Sequence, residues 1–233
     1  MYAVTPEQDN HKTRKGQRKM RKLILLTMMF VMFASVTVNA QEVSANVGWT
    51  SQYFYRGIFQ ATSSASAGVD VDAGPLSVST WVADVGDGAE VDFFGTLSRE
   101  NRLGNYVSVG GGAYLYTGGF DDTYLEATLG AGYGPLSGEF SFGQYSNFGA
   151  GKQNYWFAGV TAERNGFFGT VGGFGRDFTG NYGQVGYGFS AAELDWTISG
   201  SVNDKDLSGA VDGAGNPTNG TAIVLSLGKS FDL

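Results

Sequence analysis

The sequence predicts an all-β protein: a transmembrane up-and-down antiparallel β-barrel of about 12 strands, preceded by a cleavable signal peptide. Three observations carry that prediction. Of 233 residues, 37 are Gly and 14% are aromatic, yet only 16% are charged; helix interiors tolerate Gly poorly, whereas turn-rich pleated sheets absorb it alongside aromatic side chains. Beyond residue 40, apolar and polar residues alternate with period two, the signature of strands that are apolar on one face. In the same region no 18-residue run is uninterruptedly apolar, which excludes helical membrane spans there.

Residues 1–40 read as an export signal. Lys12 to Lys22 are rich in basic residues, Leu23 to Phe33 are almost wholly apolar, and Val38-Asn39-Ala40 offers the small residues a signal peptidase reads. Met20, followed by Arg21 and Lys22, is an alternative start. The apolar stretch falls short of the ~20 residues a spanning helix needs. Residues 41–233 then form the barrel.

Punctuation by Gly, Pro, Asn and Asp divides that region into candidate strands at 43–58, 62–73, 75–85, 89–99, 105–117, 122–134, 136–147, 152–164, 166–177, 180–190, 193–203 and 220–231. Most exceed the five or six residues usual in soluble sheets and suit tilted strands crossing a bilayer. All but one of the even-numbered connections, such as Gly74-Pro75, Gly134-Pro135 and Asn165-Gly166, are tight, the exception being Arg99 to Asn105. The odd-numbered ones include Thr117 to Asp122 and the longest, Asn203 to Gly220. Short turns on one side and longer loops on the other are the outer-membrane pattern.

Alternation also assigns faces. Asp70, Asp72, Glu90, Asp92, Glu126, Glu139, Glu193 and Asp195 alternate with apolar residues, so they are read as lumen-lining. Arg56 is placed with them, and Arg99, Arg164 and Arg176 are further candidate counter-charges. A charge facing lipid near the midplane would cost about 2–4 kcal/mol for Arg or Lys. Tyr106, Tyr133, Trp156, Phe167, Tyr182 and Phe231, near strand ends, are candidates for interfacial girdles. Twelve strands close on a backbone cylinder roughly 24 Å across, leaving ~10 Å inside the side chains, and no separate domain is available as a plug.

The first strand, Val47-Gly-Trp-Thr-Ser51-Gln-Tyr53-Phe-Tyr-Arg56-Gly57, resembles the opening motif of the TorF family of proteobacterial porins, also catalogued as Gcw-chp proteins. Trp81-Val-Ala-Asp84-Val85, Glu90-Val-Asp-Phe-Phe94-Gly95, Tyr114-Leu-Tyr116 and Tyr124-Leu-Glu126 are similar to later landmarks of that family, with Gln52 where an acid is common and Asp84 where Asn is usual. The resemblance implies an outer-membrane barrel and supplies no substrate. The C-terminal Ser226-Leu-Gly228-Lys-Ser-Phe231-Asp-Leu233 resembles the terminal-strand motif read by the barrel assembly machinery, with Gly228, Phe231 and Leu233 as the assembly signal.

Several chemistries are excluded. There is no Cys, and the one His, His11, lies in the signal segment, so Cys nucleophiles, thiolate metal sites and His-based hydrolysis are not expected in residues 41–233. Asp204-Lys-Asp206-Leu-Ser208-Gly209 begins like a calcium loop, but its twelfth position is Gly215 where a bidentate Glu is required, so it reads as a solvated loop with no metal. The Gly-x-Gly pairs lack the context of a nucleotide site. No cofactor is expected. Residues 41–233 hold 8 basic and 20 acidic residues, a poor match for nucleic acid. The expected partners are outer-membrane lipid, the assembly machinery, and small solutes or ions. The expectation is an outer-membrane, porin-like channel for small polar solutes or cations, not an enzyme. The alternative is a closed, non-conducting barrel whose outer loops act in adhesion or envelope structure.

Overall fold

The computed structural model describes residues 41–233; the signal-peptide reading of residues 1–40 lies outside them. Twelve strands form one closed antiparallel barrel. They are β1 (Gln41–Tyr55), β2 (Ile58–Ala73), β3 (Leu76–Asp84), β4 (Ala89–Glu100), β5 (Tyr106–Tyr116), β6 (Tyr124–Tyr133), β7 (Leu136–Tyr145), β8 (Gln153–Arg164), β9 (Phe167–Arg176), β10 (Asn181–Ala191), β11 (Leu194–Asn203) and β12 (Gly220–Asp232). Each strand pairs with its sequence neighbours, and β12 closes on β1 through pairs from Ser44 with Asp232 to Thr50 with Ser226. Closure leaves no edge, so every ladder group has a partner without water, which is what a hydrocarbon environment demands.

Turn chemistry explains the tight end of the barrel. Asn165 and Gly166 both adopt positive φ, the twist-compatible hairpin turn that an Asn-Gly pair favours. Gly74 and Gly134 supply positive φ just before a proline. Ala192 and Glu193 make the same kind of two-residue turn at φ 54° and 60° without a glycine. Glu193 is therefore a correction to the lumen assignment: it sits in a turn rather than in a strand, its side chain is 85% exposed, and its Oε2 accepts from Lys229 Nζ at 2.9 Å.

Lining up cross-strand partners separates the two faces. One row around the outside runs Val107, Ala131, Gly138, Val160, Val171, and a neighbouring one Val109, Leu129, Phe140, Ala158. Leu129, Val160, Val185 and Ile198 are more than half exposed, so the exterior is a greasy surface, as lipid contact requires. Among the girdle candidates, Tyr133 and Phe167 are exposed on this face at the short-turn end, where Phe167 packs on Tyr187 with centroids 4.5 Å apart. Tyr106 and Tyr182 are corrections. Their strand parity turns them inward, Tyr106 over Gly132 and Tyr182 over Gly172. Arg99 and Arg164 pair with the outward Val107 and Phe167, so they face outward at the short-turn rim and are not lumen counter-charges.

Candidate functional site

The inward rows define the lumen wall. Asp70 pairs with Ser44 and Ser79, Glu90 with Ala83 and Tyr116, Asp92 with Trp81 and Tyr114, Glu126 with Gly112 and Gly143, and Glu139 with Gly130 and Gly159. Asp72 and Asp195 share the same parity at the short-turn end. The structure thus places Arg56 and all the nominated acids except Glu193 on the inside.

The acids are not equivalent. Glu90 is fully buried and accepts from the hydroxyls of Tyr53 and Tyr116, each at 2.8 Å. Glu126 accepts from Tyr155 at 2.7 Å and Tyr114 at 3.1 Å. Asp70 accepts from Asn46 Nδ2 at 3.1 Å. Tyrosine hydroxyls are the main neutral donors to the deepest carboxylates, a role the sequence reading did not assign; Tyr114-x-Tyr116 alternating on one strand was the available signal.

The larger departure from the sequence reading is the β1–β2 hairpin. On these strands Thr50 and Ser64 face inward, and so do Tyr53 and the buried Ala61. Three positions separate the inward residues where two would preserve the alternation, because Ser63 adopts φ 59° and the pairing slips again between Tyr53 and Phe54. Such a bulge adds one residue, bends the strand and re-aims its side chains. The far end of the hairpin consequently folds into the barrel, and its two-residue turn, Arg56-Gly57, lies within the lumen. Gly57 is required there: φ is +81°, and a Cβ would lie 2.6 Å from Cβ of Tyr182. The candidate strand ends at 58 and 62 shift accordingly, since Ile58 to Ala61 belong to β2.

From that turn Arg56 crosses to β6 and β7, diametrically opposite β1 in the ring. Its Nη1 donates to Glu126 Oε1 and Oε2 at 2.7 and 3.0 Å, its Nε to Glu139 Oε1 at 3.1 Å, and its Nη2 to Ser141 Oγ at 3.1 Å. The guanidinium also lies over Phe157, 4.4 Å from the ring centroid, a cation–π contact strengthened by exclusion from water. Around this crossbar, Tyr155, Phe157, Phe174 and Leu207 form a buried cluster joined by Ile58, Tyr124, Phe178 and Tyr182. Phe157 has no exposed surface at all. Gly172 makes room for it, because a Cβ there would meet Phe157 at 2.8 Å and Tyr182 at 2.7 Å.

The long-loop half of the lumen is therefore narrow. A cavity of about 50 Å³ remains between Tyr55, Gln60, Tyr116, Tyr124, Glu126 and Phe178. The expectation of ~10 Å of open lumen is corrected: no separate domain enters it among the described residues, but the β1–β2 hairpin tip narrows it. The 204–209 segment is corrected too, since Leu207 and Ser208 are buried and the Leu207 carbonyl accepts from Phe59 N–H at 2.9 Å. Its carboxylates tie the loop down, Asp204 accepting from Asn181 N–H at 2.9 Å and Asp206 from Thr179 at 2.9 Å.

On the other side of the crossbar, the lumen opens into a cavity of about 370 Å³ bounded by β1–β3 and β10–β12. It is lined largely by hydroxyl and amide side chains.

Comparison with known proteins agrees with the fold. No family model matches the chain, and no curated protein matches it. Solved structures do. A chain from work on the in-meso crystallization of membrane proteins aligns with a TM-score of 0.56 at 8% identity, over 82% of this chain and 84% of that one. The NanC porin aligns with a TM-score of 0.48 at 13% identity, over 81% of this chain and 100% of that one. OprD of Pseudomonas aeruginosa aligns at 0.41 and 11% identity, over 83% of this chain and 67% of that one. The first of these likenesses, at 8% identity, concerns fold alone and agrees with the closed twelve-stranded antiparallel β-barrel seen here.

Proposed function

We propose that the protein is an outer-membrane diffusion channel for small polar solutes and cations, narrowed by its own first hairpin. The observation that carries this reading is the lumen wall itself. Asp70, Asp72, Glu90, Asp92, Glu126, Glu139 and Asp195 face inward; Glu90, Asp92 and Glu126 are buried, so the charge offered to solutes comes from Asp70, Asp72, Asp195 and the partly exposed Glu139, while Arg56, which reaches into the middle of the barrel, is already matched by Glu126 and Glu139. Fixed charge on a confined wall raises the local concentration of counter-ions and sets ion preference. An acidic wall enriches cations, leaves small neutral solutes unhindered and repels anions.

The exterior supports an outer-membrane setting, with short turns on the periplasmic side and the longer connections outside, as bacterial barrels are arranged. The resemblance of the Val47 to Gly57 segment to TorF porins supports the same reading, and Gly228, Phe231 and Leu233 would then present the assembly signal on the closing strand, with Phe231 on its outer face. The constriction makes this a narrow pore, one that sorts by charge and size at the Arg56 crossbar.

Planar-bilayer recording under a KCl gradient tests the proposal. Discrete channels with a cation-selective reversal potential are expected. Anion preference, or a membrane that stays electrically silent with correctly folded protein in it, would overturn it.

A further inference from the structure

The polar cavity beside the crossbar has a chemistry unlike the rest of the lumen. No carboxylate lines it, although the lumen wall carries acids on β2, β4, β6 and β7. Arg56 is the one charged side chain at its edge, and that charge is engaged by Glu126 and Glu139. The lining is instead a field of neutral donors and acceptors: Thr50, Ser66, Gln184, Ser199 and Asn203, with Trp81 as an aromatic wall. Tyr53 meets Trp81 edge-on at a centroid distance of 5.6 Å and so fixes the indole.

One group in this lining is left unmatched. Asn203 is buried at 3% exposure, and its Nδ2 donates to Ser201 Oγ at 3.2 Å, but no group among the described residues donates to its Oδ1. A buried carbonyl oxygen without a donor costs roughly 1–3 kcal/mol unless something supplies a hydrogen bond. Gln184 has its donor end engaged with Ser199 Oγ at 3.0 Å. The volume, about 370 Å³, corresponds to roughly a dozen water volumes, room for a monosaccharide together with several waters.

Resting on the channel reading above, we infer that this cavity is a subsite for a neutral polyhydroxylated solute of monosaccharide size. Asn203 Oδ1, enclosed while the cavity is empty, would turn to accept from a solute hydroxyl, the Ser and Thr hydroxyls would complete the hydrogen bonding, and one face of the solute would lie against Trp81. Neutrality follows from the lining: a carboxylated solute finds no free cation, and an amine finds no acid. Pockets of this kind use a few convergent polar groups for orientation and an apolar face for contact area. A lining built to hydrogen-bond hydroxyls also discriminates against solutes that lack them, because its buried groups would stay unpaired.

The test uses the folded residues 41–233 in detergent micelles, with Trp49, Trp156 and Trp196 replaced by Phe so that Trp81 is the reporter. Titration with D-glucose is expected to change Trp81 fluorescence saturably, while D-gluconate at equal osmolality leaves it flat. Asn203→Leu and Gln184→Leu should each weaken the glucose response about tenfold. Where either variant loses its heat-modifiable gel mobility, Ser66→Ala and Thr197→Val take its place with a smaller, severalfold weakening. No saturable glucose response, or an equal response to gluconate, overturns the inference. In bilayers, glucose should lower the KCl current beyond its effect on solution viscosity. A cation-selective current insensitive to glucose sinks the subsite and spares the channel, whereas glucose binding to a protein that passes no current supports the subsite and sinks the channel.

Discussion

Arg56→Ala is the substitution that interrogates the crossbar most sharply. Two ion pairs hold the guanidinium, and they differ in weight. Glu126 has 2% of its side chain exposed against 9% for Arg56, so this pair is buried, with Nη1 shared between both carboxylate oxygens. Glu139 is 41% exposed, so its pair is screened. Exposed pairs contribute about 0–1 kcal/mol, whereas removing one partner of a buried pair costs about 3–5 kcal/mol because the other charge is stranded. The loss is therefore dominated by Glu126, which keeps its Tyr114 and Tyr155 donors and stays in place. The hairpin tip, deprived of its anchor on the opposite wall, should swing away. Single-channel conductance is expected to rise severalfold, and the reversal potential under a KCl gradient to move further toward the cation limit, since one positive charge leaves an acidic lumen. Glu126→Gln is the paired control: it also loosens the crossbar, but the selectivity shift should have the opposite sign. Conductance unchanged in both variants would refute the idea that Arg56 holds the constriction. Selectivity shifting the same way in both would refute the electrostatic part of the argument.

Three further outcomes follow from the same geometry. Gly172→Val places methyl groups where Phe157 and Tyr182 now lie, and should lower stability by about 1–3 kcal/mol, read as a lower midpoint of heat-modifiable gel mobility. Leu129→Arg puts a charge on the outward face at mid-strand and should cost about 2–4 kcal/mol in urea-driven unfolding from phospholipid vesicles, whereas Thr128→Arg on the inward face of the same strand should cost less and reduce the conductance. In the exposed loop, hydrogen bonds from Asn216 hold the Asp212 carboxyl below its ordinary range, with the Ala214 N–H adding to the effect. A folded-state pKa lowered in this way stabilises the turn above the unfolded value and loses that contribution as pH falls through the folded one. Protection factors at Ala214 and Asn216, taken against the intrinsic exchange rate at each pH, should thus hold near neutrality and fall only below about pH 4.

Much of the barrel was legible because period-two patterning is a local signal. Glu126, Thr128 and Gly130 alternate with Leu125, Ala127 and Leu129 on one ten-residue strand, and no distant contact is needed to assign the faces. The strand count and the parity of long and short connections followed from the same signal plus Gly, Pro and Asn. The inward hairpin was not legible for a physical reason. It depends on Ser63 at positive φ, a conformation Ser takes only when the surroundings enforce it. It depends equally on Arg56 meeting Glu126, a partner 70 positions away in sequence. Once that bulge flips the parity, a residue expected on the wall becomes a bridge across it. Glu193 reads from sequence as a strand residue because Ala192-Glu193 forms a hairpin turn without the Asn or Gly that normally marks one. Position near a strand end does not reveal parity, so Tyr106 and Tyr182 read from sequence as girdle residues; Gly132 and Gly172, across from them, mark the side on which large rings lie inward.

The central claim is a membrane-spanning wall with lipid on one side and water on the other, and the absence of native cysteine makes it directly measurable. Single cysteines along β6, at 125, 127 and 129 against 126, 128 and 130, can carry an environment-sensitive fluorophore in brominated-lipid vesicles. The account predicts strong lipid quenching at Leu125, Ala127 and Leu129 and none at Glu126, Thr128 and Gly130. Uniform quenching by a water-soluble agent at all six positions, with no effect of the brominated lipid, would contradict it.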